Sequence, residues 1–225
     1  MTRRTGTGRA ALATREISVV VLGLALVLLL MANRYGPHRD ELYFVSAGGR
    51  LASGYPDQPS FTPLLARLAE MVAPQSLVVL RLPSLLAVSA LVVLSAAFAR
   101  LLGGGRAAQL LTAVTVAASA LTLTLGHRLS TATFDTLVWT AILLVAGHAL
   151  VDDRPRLWLG AGMLAGIGLN NKHAVVFLLL GVLVGVAVVR QTRPQLRTPY
   201  PWLGGMLALL MWLPNLVWQA ADGWP

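Results

Sequence analysis

Two acids stand side by side in the stretch HRDELYF, residues 38–44: Asp40 and Glu41, a few positions after a long apolar run. Carboxylates take protons from hydroxyls, and acids this close to hydrocarbon are costly unless paired or used, so the pair is a candidate reaction centre. On a helix, adjacent side chains diverge by about 100°, so the two cannot share a proton as a facing dyad does. One can face a reaction centre while a cation holds the other. The competing reading is a charge pair at a helix N-terminus, where acids are favoured anyway.

Three more residues carry chemistry by type and place. Lys172, the single lysine among eighteen Lys and Arg residues, lies in GLNNKHAVVF. A compact cation at membrane depth either holds a lipid phosphate or snorkels to the surface. Arg81 sits five residues into an apolar run, ahead of Pro83, with the same two readings. Asp135 follows STAT at the start of another run, where it either caps a helix or sets a second acid opposite Asp40. His38 with Asp40 is too small a ligand set for a metal, and His127, His148 and His173 are dispersed, so no metal is expected.

The elements that must position these residues are membrane helices. Of 225 residues, 56% are hydrophobic and 12% charged, with a mean hydropathy of +0.69, against about 25% charged in soluble domains. The chain reads as an all-α integral membrane protein whose partner is the lipid bilayer. There is no cysteine, which excludes disulfides and thiolate metal sites. The net charge of +9 is scattered between apolar runs, a pattern of membrane orientation and not of a nucleic-acid footprint. No nucleic-acid partner is expected.

Apolar runs near 17–32, 77–99, 107–126, 136–151, 157–170, 173–189 and 202–221 give about seven transmembrane helices. Residues 1–16 form an Arg-rich tail without an A-x-A-like cleavage site, so the first run is read as a retained anchor. Alternating the connections puts eleven cations on the amino-terminal side and seven on the other. The positive-inside rule then makes the tail cytoplasmic and places Asp40, Glu41, Asp57, Glu70, Asp135 and Asp222 outside. The outer loop 33–76 reads as two interfacial helices joined by a turn at GYPDQP, residues 54–59. Glycines 162 and 166 in LGAGMLAGIGLNN have the spacing of close helix packing, not of a nucleotide loop.

A set of motifs then runs in order along the chain: DELYF, GRLASGYPDQPSFTPLLARL, LRLPSLL, TATFDTLVWTAILL, RLWLGAGMLAGIGLNNKHAVVFLLLGVL and PNLVWQAADGWP. Together they resemble the GT-C glycosyltransferases of family 39, the protein mannosyltransferase-like and lipid A aminoarabinose transferase-like membrane enzymes. The resemblance implies a GT-C-type bundle that moves a sugar from a polyprenyl-phosphate carrier to a glycan, lipid or protein acceptor at the outer face of the cytoplasmic membrane. It implies no cofactor beyond that donor substrate. Asp40 matches the acid of the first outer loop that acts at the family's reaction centre. Glu41 and Asp135 are taken as further acids of the catalytic set, and Lys172, Arg81, Asp57 and Gln58 as substrate or phosphate ligands. Ser60 stands where the family has a second proline after DQ, and relatives continue with further spans. Residues 17–225 are therefore expected to be the N-terminal half of a longer multi-pass domain.

The residue types suit that chemistry. A lipid phosphate is already a good leaving group, so transfer needs a base for the acceptor hydroxyl and cations for the departing phosphate. Two other readings stay open at this point: a transporter, against which the acids cluster at outer ends without an internal repeat, and a non-catalytic remnant or assembly partner.

Overall fold

The computed structural model describes residues 8–224. Arg3 and Arg4, which enter the charge count above, lie outside them. Ten α-helices and one small hairpin follow in order. They are α1 (Thr14–Met31), α2 (Arg39–Gly48), β1 (Gly54–Tyr55), β2 (Gln58–Pro59), α3 (Phe61–Val72), α4 (Leu77–Leu101), α5 (Arg106–Ala118) and α6 (Ala120–Gly126). After these come α7 (Thr131–Val151), α8 (Leu157–Leu169), α9 (Val175–Val188), a 3-10 turn (Arg193–Arg197) and α10 (Tyr200–Ala221).

Helix is what apolar runs form where the backbone must satisfy its own hydrogen bonds. Among the described residues, α1, α4, α7 and α10 are long and apolar enough to cross a membrane, and α5 with α6, bent by 60°, are so only when taken together as one broken span. The bend is at Ser119, whose extended backbone breaks the helix and whose Oγ accepts the Thr122 amide at 3.1 Å. The expected count of about seven is therefore supported for four or five. The runs read at 157–170 and 173–189 are helices of only 13 and 14 residues. At 1.5 Å per residue each spans about 20 Å, short of a hydrocarbon core of about 30 Å.

Side-chain contacts sort the helix ends into two groups. At one end Arg9 pairs with Asp152 at 2.6 Å, Arg106 pairs with Glu16, and Arg100 donates to the Ala10 carbonyl at 2.8 Å. These contacts gather the amino-terminal segment, the α4–α5 turn and the end of α7. The opposite end gathers α2, the hairpin, α3, the start of α7 and the α8–α9 turn. Glycines set the closest seams. A Cβ on Gly162 would overlap the backbone of Gly204, which seats α8 on α10, and one on Gly48 would lie 2.7 Å from the Pro63 carbonyl, which seats α2 on α3.

The loop 33–76 contains the two expected helices, and the turn at 54–59 is the β1–β2 hairpin, with Gly54 paired to Pro59 and Tyr55 to Gln58. In α3 the small residues Thr62, Ala66 and Ala69 face the protein, while Leu64, Leu68, Met71 and Val72 are exposed. A helix whose large apolar side chains point away from its own core is built to lie in a lipid interface.

Candidate active site

The site begins with the N-terminus of α2. His38 caps this helix, its Nδ1 accepting the Asp40 amide at 3.1 Å, while Glu41 reaches back to accept the His38 amide at 2.8 Å. This reciprocal cap fixes the start of α2 and so the direction of Asp40.

The adjacent acids have different surroundings. Glu41 is fully buried and accepts four hydrogen bonds: Arg81 Nε at 2.9 Å, Arg81 Nη2 at 2.8 Å, the His38 amide and the Leu129 amide at 3.0 Å. Burial pushes this carboxyl up, but the Arg81 guanidinium and the two amides outweigh it and hold Glu41 below the usual carboxylate value. Arg81, 4% exposed, also donates to the carbonyls of Ala32 at 2.6 Å and Gly36 at 3.0 Å. Singled out as a catalytic acid and a phosphate ligand, these two residues face each other, and neither lines the cavity described next.

That cavity, of about 700 Å³, opens between the loop 33–76 and the α8–α9 turn. Asp40, Tyr43, Asp57 and Gln58 line it on the loop side, and Thr131, Asn171, Lys172 and His173 on the bundle side. Four of the seven residues expected from the sequence thus share one cavity: Asp40, Asp57, Gln58 and Lys172. Asp135 is not among the lining residues. It lies one turn along α7 from Thr131, on the same helix face, with its Oδ1 buried and unpartnered.

Several residues of the site were not singled out by sequence. Tyr43 donates its hydroxyl proton to Asp57 at 2.6 Å, and burial followed by the Asp57 carboxylate pushes the phenol up to about 12, so it stays a donor. A signal existed: Tyr43 falls three residues after Asp40, on the same face of α2. The turn that carries Lys172 is pinned by two asparagines. The backbone carbonyl of Asn170 accepts the Phe61 amide at 3.0 Å, and its side-chain Nδ2 donates to the Met211 carbonyl at 2.9 Å. Asn171 is 1% exposed, accepts from Thr62 Oγ1 at 3.0 Å and donates to the Thr131 carbonyl at 2.9 Å. The lysine is thereby fixed relative to α3, α7 and α10 at once.

This architecture brings acids of the loop 33–76 and a cation at the end of a helical bundle to one cavity. Residues 57–218, well over half of the chain, match the family model described as dolichyl-phosphate-mannose-protein mannosyltransferase. The chain belongs to this family. Membership places it among membrane glycosyltransferases of the GT-C type, and the helical architecture agrees. The matched residues include Asp57, Gln58, Arg81, Asp135 and Lys172, whereas Asp40 and Glu41 precede them. No curated protein and no solved structure matches the chain.

Proposed function

We propose that this chain transfers a sugar from a polyprenyl-phosphate carrier to an acceptor hydroxyl of a glycan, lipid or protein at the outer face of the cytoplasmic membrane. The observation that carries the reading is that Asp40 and Lys172 line one cavity at one end of an apolar bundle. Asp40 takes the proton of the acceptor hydroxyl as it attacks the anomeric carbon, and the sugar–phosphate bond breaks. Lys172, an exposed cation on the cavity wall, holds the phosphate that leaves through a charge-assisted contact. Tyr43 orients Asp57, and Asp57 with Gln58 contacts the substrate. Glu41 and Arg81 act as a buried clamp that holds α2, and through it Asp40, against α4 and the end of α1. Asp135, one turn along α7 from the cavity-lining Thr131, adds a further acid deeper in the bundle.

The N-terminus is on the cytoplasmic side in this reading, consistent with the arginines at the end of the bundle opposite the cavity. The donor contact is tested with Lys172→Gln in proteoliposomes supplied with a polyprenyl-phosphate sugar. KM for the donor is expected to rise by about tenfold or more, the loss of one charge-assisted phosphate contact. An unchanged KM would remove Lys172 from the phosphate site.

A further inference from the structure

His173 lines the cavity beside Lys172, and its proton can be placed from the network behind it. Asn215, 1% exposed on α10, donates from Nδ2 to the Ser53 carbonyl at 2.9 Å. Its Oδ1 receives Trp212 Nε1 at 3.2 Å and Gln219 Nε2 at 2.8 Å. A carbonyl only accepts and an indole N–H only donates, so the Asn215 amide has one orientation. The same Oδ1 lies 3.2 Å from His173 Nε2, which must then carry a proton. A neutral imidazole protonated at Nε2 has its lone pair on Nδ1. Trp212 packs edge-on against the ring with centroids 5.3 Å apart, which fixes its plane. Among the described residues Nδ1 makes no hydrogen bond, so the neutral ring of this cavity-lining residue keeps one unclaimed atom, and in that form the atom is an acceptor.

Two consecutive residues of one turn thus offer opposite chemistry. The Lys172 ammonium donates and suits a phosphate oxygen. A lone pair on Nδ1 repels a phosphate oxygen and suits a hydroxyl. A sugar phosphate presents those two groups side by side. We propose that His173 recognises a sugar hydroxyl through Nδ1, and that Asn215 is the positioning residue that sets its tautomer. The proposal rests on the donor reading above and deepens it.

The test uses the chain in lipid nanodiscs with ¹⁵N-labelled histidine, the His173 signals being assigned by their loss in His173→Phe. The probes are a short-chain prenyl-phosphate mannose and the same prenyl phosphate without sugar. The resting ring is expected to be protonated at Nε2 and bare at Nδ1, and the Nδ1 resonance is expected to move with the sugar-bearing probe alone. His173→Phe should weaken that probe by about tenfold, one hydrogen bond's worth, and leave prenyl phosphate binding unchanged. In Asn215→Leu the preference for the Nε2 proton should disappear, and its persistence would remove Asn215 from the proposal. A resting proton on Nδ1 would overturn the proposal. So would an equal loss of both probes in His173→Phe, which would make the residue a phosphate ligand, or no loss of either. If the unaltered chain bound neither probe, the donor reading would fall with it, whereas failure confined to the sugar-bearing comparison would overturn the His173 assignment alone.

Discussion

Removing the Arg81 guanidinium would leave the Glu41 carboxylate buried with only two amides for partners. A broken buried ion pair costs about 3–5 kcal/mol, much more than an exposed one, so Arg81→Met is expected to lower the thermal midpoint in detergent by the equivalent of that amount. The pH dependence has a definite sign. Glu41 is held below its ordinary value of 4.5 in the fold, so its contribution is complete above 4.5 and is lost as pH falls through the lower folded value. Thermal unfolding followed downward from 4.5 should show a loss of stability that is smaller in Glu41→Gln. At this scale the sequence singled out Asp40, Asp57, Gln58 and Lys172, which the fold brings to one cavity, because charges at the edge of apolar runs are few. It had no means of pairing Glu41 with Arg81, which lie 40 positions apart and meet only once α2 is laid across α4. Asn170, Asn171 and Asn215 read as ordinary polar residues, since what distinguishes them is the backbone carbonyls and amides they reach in the fold.

Helices α8 and α10 meet where glycine faces glycine. A side chain on Gly162 would run into the Gly204 backbone, which has no rotamer by which to yield. Gly162→Val is therefore expected to destabilise the fold by at least about 1–3 kcal/mol, the usual cost of overpacking, and to loosen the α8–α9 turn that carries Lys172. Unfolding midpoints of Gly162→Val beside Gly181→Val, where a Cβ meets nothing within 4 Å, would separate the seam from helix propensity. Helical spans were legible from hydropathy, but their ends were not. The run read as 136–151 begins at Thr131, because Ser130 caps it by accepting the Ala132 amide at 3.2 Å. The run read as 107–126 is two helices, because Ser119 interrupts it. Both boundaries depend on side chain to backbone hydrogen bonds that hydropathy does not register.

The whole molecule has two chemically distinct ends, and their assignment to the two sides of the membrane is open to direct measurement. Because the chain has no cysteine, single cysteines report position without background. A cysteine at Tyr35, exposed near the cavity end, should react with a membrane-impermeant maleimide added to intact cells. One at Arg154, beyond α7, should react only after permeabilisation. The reverse pattern would invert the bundle. The general architecture was legible from composition and from the arginine distribution, whereas the number of complete crossings was not, since α8 and α9 stay short of the bilayer while matching the hydropathy of longer spans.

The central claim is that the cavity transfers a lipid-borne sugar with Asp40 as base. Its most direct test compares the unaltered chain and Asp40→Asn, in equal amounts in proteoliposomes, for transfer from a polyprenyl-phosphate sugar to an acceptor. The account predicts a fall in kcat of about a thousandfold, within the range for loss of a general base, with the protein still inserted and folded. Transfer by Asp40→Asn at the unaltered rate would contradict it.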